Sequence, residues 1–288
     1  MVTNSRPFSI KRMPGFSLLA LACFFALYMP LAPLVFYSFN AGNNIALWEG
    51  LSLRWYVAAW ENDLVQSAAI RSVVVAVIAS VVATSLATMA ALGTTRTRPY
   101  RGQTSIYAMV NQPLMVPEIV TAVALLILFA LIKESTGYHG YAYLVSAHTA
   151  FCIPFAYLPI RARLEGMDRV LEAAAADLYA TPWRTFTKVT LPLLLPGILA
   201  GAMLAFVISL DDVVITEFVK SAGQDTLPTY MLGQLRRTIT PEINAISTVL
   251  LGVSVVMVAI IFFLSRKKPE PVAIHQDLIT NKTIGGNP

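Results

Sequence analysis

The chain alternates between long apolar runs and short polar stretches. Apolar residues dominate Phe16 to Phe39, Ala68 to Leu92, Ile106 to Ile132, Tyr141 to Pro159, Leu193 to Leu210 and Ala245 to Leu264. A helix needs roughly 20 apolar residues to cross the hydrocarbon core. Backbone groups in lipid can pair only within the protein, so six transmembrane helices are predicted. Between the fourth and fifth runs lies Glu165 to Leu199, rich in alanine and charge. Leu171 to Ala180 holds strong helix formers without interior Pro or Gly, and Thr181-Pro182 opens a second short helix. Two short helices joined by a turn predict a stiff knob that ends at Leu191-Pro192.

Composition places this pattern in a membrane. Hydrophobic residues make up 56% of the chain and charged residues 13%, and the mean hydropathy is +0.65, so the fold class is an all-α integral membrane protein. The first run is longer than a signal-peptide core and lacks small residues before a cut site, so it reads as a retained helix. Three segments follow. Residues 1–66 carry the N-terminal tail, first helix and an outer segment; 67–264 form a core of five helices with the knob in loop 164–192; 265–288 form a polar tail predicted to be disordered.

Basic residues set the expected orientation. Arg6, Lys11, Arg12, Arg96, Arg98, Arg101, Arg161, Arg163, Arg169, Arg184, Lys188, Arg266, Lys267 and Lys268 fall on one side of the six helices. Fewer, several beside acids, fall on the other. Both termini and the knob are therefore expected in the cytoplasm. The net charge of +5 follows from this asymmetry and calls for no nucleic-acid partner. No GxxxxGK[ST] loop is present, so no nucleotide is expected to bind by that route. His139, His148 and His275 lack metal-ligand spacing, and His148 reads as hydrogen-bonded structure. Cys23 and Cys152 sit inside apolar runs and read as small hydrophobes. With no Ser/His/Asp set either, the chain is not expected to be an enzyme or to bind a metal or cofactor.

Ionisable groups inside apolar runs cost a few kcal/mol each to insert and are functional candidates by default. Glu118 follows Pro113 and Pro117 in NQPLMVPEIV. A helix restarting after Pro117 would hold this carboxylate at its N-terminus, where the dipole favours it, so a capping role and a functional one are compatible. Asp211-Asp212 lies in FVISLDDVVITEF. At 1.5 Å per residue the pair stands roughly 27 Å along the fifth helix, and Glu118 roughly 21 Å along the third. Carboxylates at similar depth attract a cation and repel an anion, which favours an amine or metal cation as cargo. Arg71 is placed to neutralise part of that charge, or to snorkel to the interface. Adjacent residues point about 100° apart on a helix, so at most one aspartate faces a cavity squarely. Trp48, Trp55, Tyr56 and Trp60 suit an interfacial aromatic belt; Trp48 also suits the mouth of a pathway, where its ring face would meet a cation. A secondary transporter or channel for a cationic solute, and a membrane scaffold, are the competing classes.

The knob resembles the EAA loop of ABC importer permeases. With Leu191-Pro192 as anchor, Val189 takes the family's branched apolar position, Tyr179 its usual glycine, and Ala173 its glutamate, with Glu172 one residue early. The runs SLDDVVITEF and LPTYMLGQLRRTITPEINAISTVLL, together with VPEIV, are similar to the second permease subunit of bacterial spermidine/putrescine importers. The likeness covers about Gln66 to Leu264. It implies a six-span type I importer fold and half of a translocation pathway. It also implies three partners: a second permease subunit, a dimer of ATPase subunits that binds ATP and Mg, and a periplasmic substrate-binding protein. Carried over by position, Glu118, Asp211 and Asp212 would contact cargo, with Trp48 and Tyr230 as weaker candidates. Glu172, Ala173, Ala174, Asp177, Tyr179 and Ala180 would couple to the ATPase.

Overall fold

The computed structural model describes residues 15–45, 47–138, 140–237 and 240–265. The expected N-terminal arginines and lysine, His139, His275 and the tail beyond 265 lie outside the described residues. The chain is almost wholly helical, with a single isolated pairing, Asn40 with Leu51, as its only bridge among those residues. In order the helices are α1 (Phe16–Tyr28), α2 (Leu31–Tyr37), α3 (Arg54–Glu61), α4 (Asp63–Thr95), α5 (Gln103–Met115), α6 (Glu118–Thr136) and α7 (Tyr141–Glu165). They continue as α8 (Val170–Asp177), α9 (Pro182–Thr185), α10 (Leu191–Asp211), α11 (Val214–Val219), α12 (Leu227–Arg237) and α13 (Pro241–Ser265). Five are long and apolar enough to span a membrane, and the α1–α2 pair makes a sixth span bent by 45°.

The centre of the bundle is α4 against α7 and α10. Ala83, Ala87 and Ala91 of α4 pack with Cys152, Ala156, Ile160 and Leu164 of α7 and with Leu194 and Ala205 of α10. Small side chains let the backbones approach closely, which in lipid replaces the missing hydrophobic drive between helices. The approach is tightest at α10, where a Cβ on Gly201 would lie 2.7 Å from the Ala156 carbonyl oxygen and one on Gly197 2.7 Å from Arg163 Cβ.

Three expectations need correction, and proline is the cause each time. The first run is not one rod, because Pro30 lacks the N–H to bond the preceding turn and the helix bends there. The third run, Ile106 to Ile132, divides at Val116 and Pro117, whose ψ values of 137° and 133° are extended; the single-rod count to Glu118 therefore does not hold. Leu191-Pro192 does not end the knob. Pro182 to Asp211 runs as one continuous span, because a π-helical turn at Phe186–Thr190 precedes Pro192, with the Leu191 N–H bonded to the Phe186 carbonyl. The wider turn absorbs the donor that Pro192 lacks.

Arg96 meets Glu172, and Thr95 meets Arg169, at one end of the bundle, and Asn62 meets Tyr230 and Glu242 at the other. The second end is tied by Asn62, which accepts from the Leu64 and Val65 N–H groups and donates to Glu242 Oε1 at 3.1 Å.

Candidate functional site

Two sites stand out, a carboxylate pair deep in the bundle and the knob. Pro117 ends the extended break and Glu118 opens α6, as the sequence suggested. The helix dipole and the free N–H groups of that first turn favour its charge. α10 ends at Asp211, and α11 begins two residues after Asp212. α11 is seated between α6 and α7 through Ile215, which is fully buried with Ala122, Ala147 and Phe151. That seating brings the Asp212 carboxyl beside that of Glu118.

The two aspartates divide as adjacent residues must. Asp212 is 6% exposed and caps α11: Oδ1 accepts from the Ile215 N–H at 3.3 Å, and Oδ2 accepts from the Thr216 N–H at 2.9 Å and the Thr216 hydroxyl at 2.7 Å. Asp211 is exposed and accepts from the Ser254 hydroxyl of α13 at 3.2–3.3 Å. The structure thus joins Glu118 with Asp212 and turns Asp211 toward α13.

Behind Asp212 stands a residue read from the sequence as hydrogen-bonded structure. His148, 1% exposed, lies with Nδ1 2.8 Å from Ser209 Oγ and Nε2 2.9 Å from Thr216 Oγ1. Since Thr216 donates its proton to Asp212, its lone pairs face the ring, so Nε2 donates and Nδ1 accepts from Ser209. Ser209, His148, Thr216 and Asp212 form one directed chain of hydrogen bonds. The sequence signal for it was the spacing of Asp212 and Thr216, a carboxylate before a helix start with a hydroxyl four residues on.

Trp48 and Tyr230 are not part of this cluster. Trp48 stacks on Phe36 with centroids 4.3 Å apart and meets Tyr37 edge-on. Tyr230 accepts from Gln234 Nε2 at 2.8 Å and lines a cavity of about 430 Å³ with Arg71, Glu217, Lys220, Asp225 and Arg237. Lys220 is bonded to Glu217 at 2.6 Å and Asp225 at 2.7 Å. Burial opposes its charge, but the two carboxylates outweigh it and hold its pKa above the ordinary lysine value.

The knob is α8 and α9 joined by a tight turn. Tyr179 has φ 57°, its N–H bonds the Ala176 carbonyl, and the Ala180 N–H bonds the Ala175 carbonyl, the pattern usually closed by glycine. The turn forms without glycine and leaves Tyr179 96% exposed. Ala173, Ala174 and Asp177 are exposed and Ala180 half-buried. Leu178 and Trp183 are exposed as well, so the outer face is unusually apolar for one expected in water. Glu172 differs from its neighbours. It turns inward, accepts from the Thr190 hydroxyl at 3.0 Å and pairs with Arg96 at 3.2 Å.

Residues 83–267 match the family described as binding-protein-dependent transport system inner membrane component. The chain belongs to that family. It is 37% identical over 84% of its length to the putrescine transport system permease protein PotI of Escherichia coli strain K12, covering 88% of that protein. It is 36% identical, again over 84%, to the spermidine/putrescine transport system permease protein PotC of Haemophilus influenzae, covering 92% of it. A bacterial ABC transporter that imports the acidic polysaccharide alginate shares the fold, with a TM-score of 0.64 at 17% identity over 88% of this chain and 95% of that one. The methionine ABC transporter MetNI does so with a TM-score of 0.56 at 18% identity, over 70% and 96%. The chain is therefore a multi-pass inner-membrane permease with the type I importer fold, homologous to polyamine permease subunits. Neither the secondary transporter nor the scaffold reading survives.

Proposed function

We propose that the chain is one of two permease subunits of an ATP-driven polyamine importer. It lines half of the pathway and couples to a separate ATPase pair that binds ATP and Mg. Its likeness over most of its length to putrescine and spermidine/putrescine permeases carries this reading. Glu118 beside Asp212 gives it a chemical basis.

Loaded binding protein docks at the end where Tyr230 lies with Asn62 and Glu242, with Trp48 as a further candidate contact. ATP closes the ATPase dimer at the opposite end, against Ala173, Ala174, Asp177, Tyr179 and Ala180. The helices then swing, the cavity opens outward, and the cargo's ammonium group passes the acidic pair. Asp212, its oxygens already occupied by α11, supplies fixed negative potential, while Glu118 makes the variable contact. Asp211 adds charge at the same end of α10. Hydrolysis resets the subunits.

The test is uptake of labelled putrescine and spermidine by cells expressing the whole complex. Unlabelled polyamine should compete. Glu118→Gln should lower kcat/KM by about tenfold or more, equivalent to about 1.4 kcal/mol. Normal uptake by this variant would remove Glu118 from the pathway, and failure of polyamines to compete would remove the cargo assignment.

A further inference from the structure

The knob is fastened to the bundle by polar links to the last residues of α4. Arg96, just past that helix, lies with Nε 3.2 Å from Glu172 Oε1. Arg169 Nη2 donates to the Thr95 carbonyl at 2.6 Å. The Arg96 and Glu172 side chains are 13% and 23% exposed, shielded enough for their attraction to outweigh a surface pair. α8, by contrast, contributes no buried residue, so apolar packing alone does not fix its position.

At its far end α4 is fastened again. Arg71 Nη1 donates to the Asp225 carbonyl at 2.9 Å, and the Ser72 hydroxyl accepts from the Leu227 N–H at 2.7 Å. Asp225 and Leu227 lead into α12, which lines the Tyr230 cavity. α4 is 33 residues long, and between these fastenings, from Ser72 to Thr95, it runs about 36 Å of helix without a proline. The other long helices of the centre, α7 and α10, do contain prolines.

From this we infer that α4 is the transmission rod of the permease, and that Arg96 with Glu172 is the joint through which knob movement enters it. Arg96 is a positioning residue and touches neither cargo nor nucleotide. Its N–H groups leave the joint room to tighten: Nε is not aligned on the carboxylate, and buried Nη2 has no hydrogen-bond partner among the described residues. A cavity of about 320 Å³ beside it, lined by Leu92, Ala176, Pro182 and Phe186 among others, gives α8 space to close onto α4. Knob movement toward α4 would convert a single-point ion pair into a two-point one. The outer fastenings would carry the displacement to residues 225–227.

The inference rests on the importer reading and deepens its coupling step. The experiment uses the whole complex in vesicles, with ATP hydrolysis and putrescine uptake measured on the same preparation and normalised to the amount of permease that co-purifies with the ATPase. Arg96→Glu and Glu172→Arg should each lower putrescine transported per ATP hydrolysed by about tenfold, and the double exchange should recover most of it, the signature of direct pairing. Arg96→Gln, which removes charge without adding repulsion, should give a smaller loss in the same ratio. A merely structural pair would change yield and leave the ratio intact. An unchanged ratio in the single variants, or a double exchange no better than either single one, overturns the joint. Uptake by the unmodified complex without ATP would overturn the importer reading itself, whereas ATP-driven uptake with silent Arg96 variants overturns the joint alone.

Discussion

At the scale of single residues, the acidic site is defined by what each carboxylate has already spent. Asp212 accepts three hydrogen bonds from the start of α11, so it sets potential and holds the junction of α10 and α11. Under the proposed function Glu118, beside it, makes the contact with cargo. Thr216 is the keystone because its hydroxyl bonds both Asp212 and His148. Thr216→Val keeps the shape but leaves both partners short of one buried hydrogen bond, a cost of about 1–3 kcal/mol. We expect this variant to raise KM for putrescine while the complex still assembles, and Thr216→Ser, which restores the hydroxyl, to return KM toward normal. Equal KM in the valine variant would show that the chain from Ser209 to Asp212 serves folding only.

Between elements, distance of approach decides the architecture. Gly201 admits the Ala156 carbonyl where a Cβ would stand 2.7 Å from it. Because the obstruction is backbone, Gly201→Ala must move a helix, and overpacking of this kind costs about 1–3 kcal/mol. The melting temperature of the detergent-purified complex should fall, and an unchanged value would mean that α7 and α10 slide apart freely. This contact was not read from the sequence, since glycine in an apolar run signals nothing until its partner is known. Other features were legible. The six runs marked the six spans, VPEIV announced the break before Glu118, and Thr181-Pro182 marked the start of α9, with the Thr181 hydroxyl accepting from the Arg184 N–H. What failed was continuity. Pro30 interrupted a run that hydropathy joined, while Pro192 did not interrupt one that motif spacing divided. Hydropathy averages over a turn, and the backbone's use of a single missing N–H depends on whether neighbours can widen, as Phe186–Thr190 does. Glu172, one residue early in the motif, faces inward because a one-residue change of register moves a side chain about 100° around a helix, here to Arg96.

For the whole molecule, the two ends differ in kind, and under the proposed function that difference predicts a direction of transport. The end bearing the knob gathers arginine and presents exposed Leu178, Tyr179 and Trp183, while the other gathers tryptophan, tyrosine and the paired Lys220. Basic loops remain on the cytoplasmic side during insertion, so the knob is expected there, where the proposed ATPase would meet it. The surface around α6 adds a second asymmetry. α6 buries Ala122 and exposes Ile119 and Val120, so under the proposed function this flank of the acidic pair would face lipid or the second permease subunit. Both asymmetries predict how single cysteines will react. In a Cys23→Ser background, where remaining Cys152 is buried, Ala222→Cys should be labelled in intact cells by a membrane-impermeant maleimide, and Tyr179→Cys only after the cells are opened. A complex containing the ATPase should then shield Tyr179→Cys from label while leaving Ala222→Cys reactive. The reverse pattern of labelling would turn the chain over in the membrane, detach the knob from any cytoplasmic motor and remove the basis for import.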